Sequence, residues 1–595
     1  MKKNIKIIFF VAFYLLIIST SFPQNNIDKW RTRFEKSNYL ETETYAETVN
    51  YFQRLADNSP YAELFKFGTS PQGRDLVCLI AAKGKEFSPL EAKESGKPII
   101  LIENGIHSGE IEGKDACMLL MRDILISKTK VNFLDSAIIM IVPIFNVDGH
   151  ERRSRYNRIN QNGPKEMGWR VTAQNLNLNR DFAKADTPEM KALLSLFSTW
   201  LPDFFIDTHT TDGADYQYTI TYGLSTHKNI PAETANWIAK DVIPFSEQYV
   251  NDKGFLISPY IGFVKGDVRN GIRDWIPGPR YSNGYANVQN RPGLLIETHM
   301  LKPYKDRVFA TKALLEAIIL ASGNHASELI AINKGADKEV VKEYSENHKP
   351  YPLKFTVDMD STTSSYDYKG IKFTDDSSKI AGGKIRKYTG EKFEINVPYY
   401  NKDIITDSVV LPPAYFIPKE WKSIVDILKL HGVNVEVVNT ATKAVVQKYK
   451  FKNVKFRKFP YEGRFEPMFA YDTFIDTIDV PTGTFKVSTA QRTVGIIAHL
   501  LEPKGPDSFV NWGFFNAIFE RKEYFEMYSM EPIAEKMYNA SKSLQNEFNL
   551  KLNEDEKFKN NPRARLNFFY EKSPYVDQLH DIYPVTRLVK IISKD

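Results

Sequence analysis

Four short apolar runs set the first limit on what this chain can fold into. Residues 98–103 (PIILIE), 137–145 (AIIMIVPIF), 203–207 (DFFID) and 293–297 (GLLIE) are β-branched or aromatic and are bounded by Gly, Pro, Asn or Asp. Continuous rather than alternating runs belong to strands covered on both faces. Between them, residues 113–126 and 188–200 carry apolar side chains at helical spacing. Together they predict an α/β fold with a mixed, mostly parallel sheet and helices on both faces. Sites in such sheets form beyond the carboxyl ends of the strands, where polar residues follow these runs.

This pattern spans residues 25–345, and at 595 residues the chain is too long for one core. Residues 354–461 are rich in Thr, Ser, Tyr, Val and Lys, with period-two stretches such as 393–397 (FEINV). One helix stands out at 420–430, with Gly432 as its C-terminal cap. Beyond Pro503 the text turns aromatic and helical through 509–526 and 532–552. The expected organisation is a catalytic domain over 25–345, a β-rich domain over 350–505 and a helical tail over 506–595. The 39 Phe and 31 Tyr are spread throughout, which argues against a long disordered region. A net charge of +6 gives no case for nucleic acid as a partner.

At the start, Lys2, Lys3 and Lys6 precede an apolar run from Ile7 to Ile18, followed by small polar residues. That is the pattern of a secretory signal peptide, placed at residues 1–24. The run falls short of the roughly 20 residues a membrane span needs. The expected location is therefore periplasmic or secreted, with no stable membrane insertion after cleavage. Cys78 and Cys117 each lie in an apolar segment and read as buried free thiols rather than a disulfide or a zinc knuckle.

Residues able to carry chemistry gather after the apolar runs. His107 and Glu110 follow the first, three residues apart, so both can turn toward one borderline ion such as Zn²⁺. His209 follows the third run, about a hundred residues later, and strand ends in a parallel sheet converge. Two His and one Glu leave a fourth position open for water, as in catalytic zinc sites. Such a site needs a base beside the metal, and Glu297, closing an apolar strand where a carboxylate is costly, is the candidate. Arg170 is placed to stabilise an oxyanion, and Asn179 with Arg180 to grip a carboxylate through a fork that an ammonium cannot reproduce.

In this order the residues resemble the zinc metallocarboxypeptidases of the carboxypeptidase A type. His107-x-x-Glu110, Trp169-Arg170, Asn179-Arg180, His209 and Glu297 follow the family sequence, with Gly68-Thr-Ser70, Gly73-Arg74, NVDG at 146–149 and Pro202-Asp203 around them. The likeness covers roughly residues 28–345 and implies a central eight-stranded mixed sheet, one zinc ion per chain, and peptide substrates with a free C-terminus. It departs where Asn177 stands in place of an Asp that supports a zinc-bound His. The mobile active-site tyrosine falls among Trp275, Tyr281 and Tyr285, with Tyr281 favoured. Two other readings keep the scaffold: a zinc amidohydrolase for N-acyl amino acids or cell-wall peptides, and a non-catalytic binding protein. The resemblance assigns nothing to residues 350–595.

Overall fold

The computed structural model describes residues 28–260, 262–361 and 364–592, so the predicted signal peptide at 1–24 lies outside the described residues. The first half contains β1 (Ala62–Thr69), β2 (Asp75–Ala81), β3 (Ile99–Asn104), β4 (Ile138–Val142) and β5 (Phe204–Thr211). It continues with β6 (Ile220–Leu224), β7 (Ile257–Pro259), β8 (Gly262–Phe263), β9 (Ile272–Arg273) and β10 (Gly293–His299). Eight of these form one mixed sheet in the order β1-β2-β4-β3-β5-β10-β6-β7. The predicted apolar runs are its middle four strands, all parallel. Antiparallel pairings flank them, β2 against β4 and β6 against β10. Strands β3 and β4 are buried throughout, and β10 is buried except at Glu297.

Alternate side chains of each strand enter different cores. Ile100, Ile102, Phe204, Ile206 and Ile296 pack with the helices Glu112–Leu125 and Tyr304–Asn324. On the opposite face, Leu101, Met140 and Phe205 meet the helix Pro188–Trp200. Side chains from the second half join the same core, among them Tyr415, Ile427, Phe451, Ile497 and Tyr583. The second half thus covers part of one sheet face rather than standing apart. Cys78 and Cys117 are buried free thiols, one on each face.

In the second half, β11 (Tyr351–Val357) pairs with β14 (Asp403–Val409). Strands β12 (Ser364–Ser378) and β13 (Gly383–Tyr400) form a long hairpin. A six-stranded sheet follows, made of β15 (Ala414–Ile417), β16 (Glu436–Val437), β17 (Thr442–Phe456), β18 (Pro467–Val480), β19 (Phe485–Ser488) and β20 (Thr586–Ile592). The hairpin reaches into the first half, where β13 pairs with β9 through Tyr399↔Ile272 and Tyr400↔Arg273. The helix Lys422–Leu430 ends as expected, with Gly432 at φ +80°.

Three local expectations change. Residues 509–526 are turns around a short 3-10 segment, Asn516–Phe519, rather than a helix. Phe509, Val510, Trp512 and Phe515 are all buried there, too many directions for one helix face, and Gly513 reverses the chain at φ +72°. The next helix, Met527–Ala540, starts before Pro532 and carries it at its sixth position, where the missing N–H leaves the carbonyl of the exposed Tyr528 without its helical donor. The tail does not end as helix: β20 returns to pair with both β15 and β17.

Phe205 sits on β5 with ring neighbours Phe197 at 5.6 Å and Phe182 at 6.2 Å. Phe205→Ala should lower unfolding stability by about 3–5 kcal/mol, read as a shift in urea midpoint.

Candidate metal centre

The centre grows from the strand ends. After β3 the chain makes a tight turn in which Glu110 N donates to His107 O at 2.8 Å, presenting both side chains before the helix Glu112–Leu125 begins. Strand β5 carries His209, and the parallel register sets Glu297 of β10 directly opposite it. Candidate ligand atoms of His107, Glu110 and His209 lie within 4.8 Å of one another, all buried. Glu110 Oε2 accepts from His209 Nδ1 at 2.9 Å, while His107 Nδ1 lies 3.2 Å from Glu110 Oε1.

The outward nitrogens are tied from behind. His107 Nε2 lies 2.9 Å from Asn177 Oδ1, so the neutral amide does occupy the supporting position. His209 Nε2 lies 2.6 Å from Asp207 Oδ2. Each outer contact orients its ring with Nδ1 toward Glu110. His107 Nδ1 is buried without a hydrogen-bond partner, a donor atom that a cation would satisfy. Two imidazole nitrogens and one carboxylate converging on a point, with outer partners fixed, fit a three-ligand zinc site.

Charge in the centre is unevenly distributed. Burial pushes His107 down to about 4, so it is neutral near pH 7. Burial would also lower His209, but Asp207 and Glu110 outweigh it and hold that imidazole well above its ordinary value. Burial would raise Glu110, yet Arg158, His107 and His209 keep it well below the usual carboxylate range. For Glu297, burial dominates and lifts the carboxyl to about 8 despite the nearby His209. Its Oε2 has no hydrogen-bond partner.

All eight residues singled out in the sequence line one cleft of about 930 Å³: His107, Glu110, Arg170, Asn179, Arg180, His209, Tyr281 and Glu297. Arg170 Nη1 donates to Glu110 Oε1 at 3.0 Å from an exposed position. The Asn179 amide nitrogen lies 3.2 Å from His209 Nε2, and its Oδ1 accepts from Ser282 N at 3.1 Å. The Arg180 guanidinium stacks 4.5 Å from the Tyr281 ring centre, and among the described residues no carboxylate pairs with it. Trp275 packs edge-on to Tyr281 at 4.9 Å. Tyr285 instead lies in the core against Phe197 and does not reach the cleft.

Sequence reasoning missed three neighbours. Asp207 stands two residues before His209 on the same side of β5, a spacing that the text DFFIDTH displays. Arg158 donates to Glu110 Oε1 at 2.9 Å, and its stem occupies the space beside Gly109, where an added Cβ would meet Arg158 Cδ at 2.1 Å. A glycine between two ligands signals such an approach without saying what makes it. Tyr260, which also lines the cleft, had no signal at all.

The zinc carboxypeptidase family model matches residues 48–278, a stretch that includes His107, Glu110 and His209 and stops short of Glu297. A protein named Carboxypeptidase 2 from Trichophyton rubrum is 22% identical over 490 residues, 79% of this chain and 84% of that protein. Carboxypeptidase 2 from Trichophyton tonsurans is likewise 22% identical over 500 residues, with the same coverage of 79% and 84%. Among solved structures, a metallo-carboxypeptidase from Burkholderia cenocepacia aligns with TM-score 0.36 and 17% identity over 47% of this chain and 70% of its own. A carboxypeptidase A from Helicoverpa armigera aligns with TM-score 0.35 and 16% identity over 48% and 74%.

These charge states predict how zinc binding depends on pH. His209, held protonated, must release its Nδ1 proton to ligate, whereas neutral His107 releases none. Zinc should therefore displace about one proton or more near pH 7, and its affinity should rise about tenfold per pH unit below neutrality. Calorimetry in two buffers of different ionisation enthalpy measures this, and a pH-independent affinity would contradict it.

Proposed function

We propose that this chain, a zinc metallocarboxypeptidase by its domain at residues 48–278, removes the C-terminal residue of peptides with one zinc ion held by His107, Glu110 and His209. The observation that supports this most is the β5–β10 register, with Glu297 opposite His209 beside a converged His-Glu-His set. A bound zinc ion supplies the Lewis acidity that polarises a scissile carbonyl and makes water reactive near neutral pH.

The chain's own residues divide the remaining work. Glu297 takes the proton of the attacking water and returns it to the leaving amine. Burial lifts this carboxyl in the metal-free cleft, and a cation bound beside it would favour the ionised form that accepts the proton. Arg170 turns from Glu110 to donate to the developing oxyanion. Arg180, with Asn179, holds the substrate's α-carboxylate, which confines cleavage to the last bond. Tyr281 stacks on Arg180 and limits where that guanidinium can move.

Glu297→Gln keeps the shape and removes the base. Zinc content should remain near one per chain while kcat falls by about 10²–10⁴-fold. Arg180→Ala should keep zinc and lose kcat/KM chiefly on peptides with a free C-terminus, and amidating the wild-type substrate should mimic it. The two losses should not add when combined. Equal rates on free and amidated peptides would defeat the exopeptidase reading. Faster turnover of N-acyl amino acids than of peptides would move the assignment to amidohydrolase.

The basic start and apolar run at residues 2–18 support export. N-terminal sequencing of protein from its native host should begin at about residues 22–26, the usual cleavage distance beyond such a run. An intact Met1 in a soluble cytoplasmic fraction would refute it.

A further inference from the structure

The loop at residues 172–186 carries Asn177, Asn179 and Arg180, and its only regular element is the 3-10 turn Leu178–Arg180. Without a strand or helix ladder, its backbone needs partners from elsewhere. Asn177 is the critical member. Its Oδ1 accepts from Asn179 N at 3.0 Å and lies 2.9 Å from His107 Nε2. Its own backbone N–H donates to Glu462 Oε2 at 2.9 Å, a contact across 285 residues.

Glu462 belongs to a tight turn between β17 and β18, closed by reciprocal bonds between Tyr461 and Arg464. Both central residues have positive φ, Glu462 at +49° and Gly463 at +75°, so this is a shaped projection rather than slack chain. The turn grips the loop at more than one point. Arg464 pairs bidentately with Asp186 at 2.5 and 2.8 Å. Gly463 lies against Leu176, whose Cδ2 would be 3.3 Å from an added Cβ. Tyr461 stacks on Trp512, which faces Arg280 at 4.7 Å, the residue before Tyr281.

We propose that Glu462 is a positioning residue for the metal centre. It fixes the Asn177 peptide, so the Asn177 amide oxygen keeps the His107 ring turned with Nδ1 toward Glu110 and His209. The second half is thereby part of the active site. This rests on the reading of His107 as a zinc ligand.

The test uses the full-length protein and measures zinc affinity by competition with a chromophoric chelator, alongside Tm of the metal-free form. Removing a direct outer partner of a ligand typically costs about 10–100-fold in metal affinity, and Glu462 acts one bond further out. Glu462→Ala should therefore weaken zinc binding by about five- to tenfold. Glu462→Gln retains an acceptor oxygen and should return to within about twofold of wild type. Arg464→Ala, which removes the Asp186 pair and leaves Asn177 untouched, should lower Tm and keep zinc affinity within about twofold. If Glu462→Ala fails to fold, Glu462→Asp, which withdraws the oxygen by one methylene, must carry the loss. Wild-type affinity in the Ala or Asp variant, or an equal loss in Arg464→Ala, would overturn the proposal. A wild-type protein that binds no zinc would instead overturn the functional reading, and the two failures are distinct.

Discussion

Everything in the cleft depends on β5 keeping its register between β3 and β10. That pairing sets Glu103 opposite Asp207 and Glu297 opposite His209. Side chains on a strand alternate faces, so a slip of one residue would turn His209 away from Glu110 and toward the wrong core. The register is held by burial on both sides: Phe204 and Ile206 belong to one core and Phe205 to the other. The strand runs unbroken from these rings to His209, four residues beyond Phe205. The price of the arrangement is a dense set of buried carboxylates, with Glu103 raised well above its ordinary value by burial and by Asp207.

The parts legible in the sequence are those fixed by period and by strand ends. Apolar runs gave the four central strands, and the polar residues after them gave the three convergent ligand candidates and Glu297. Burial separates Tyr285, which faces the core, from Trp275 and Tyr281, which both line the cleft, and spacing within so short a stretch could not do so. Arg158 was illegible for another reason. It sits at φ +54° in an irregular segment, and only the folded path brings its stem across Gly109. Glu462 is the extreme case, since no local pattern ties a turn residue to an asparagine in the other half. The stretch at 509–526 misled because aromatic density looks the same in a helix and in a turn that buries rings in several directions.

The two halves differ in composition but share a core. One face of the central sheet is completed by Tyr415, Phe451, Ile497 and Tyr583, while Arg280 pairs with Asp507 across the same boundary. Hairpin strand β13 also pairs with β9, whose Arg273 lines the cleft, and Tyr399 bonds to Asp274 in that wall. A shared cluster of buried side chains, with Asp507 of the Arg280–Asp507 pair itself buried, resembles the interior of one domain more than the looser joint between two.

The position of β20 has a consequence in time. Residues 586–592 pair with β15 and β17 within the sheet from which the 461–464 turn projects. A growing chain emerges from its N-terminal side, so β1 to β10 are complete while hundreds of residues are still to be made. Through that interval the half bearing His107 and His209 has part of one sheet face uncovered and its 172–186 loop unbraced. Completion of the cleft therefore waits on the second half, and a chain ended before the 461–464 turn carries the candidate ligands without the brace that shapes them.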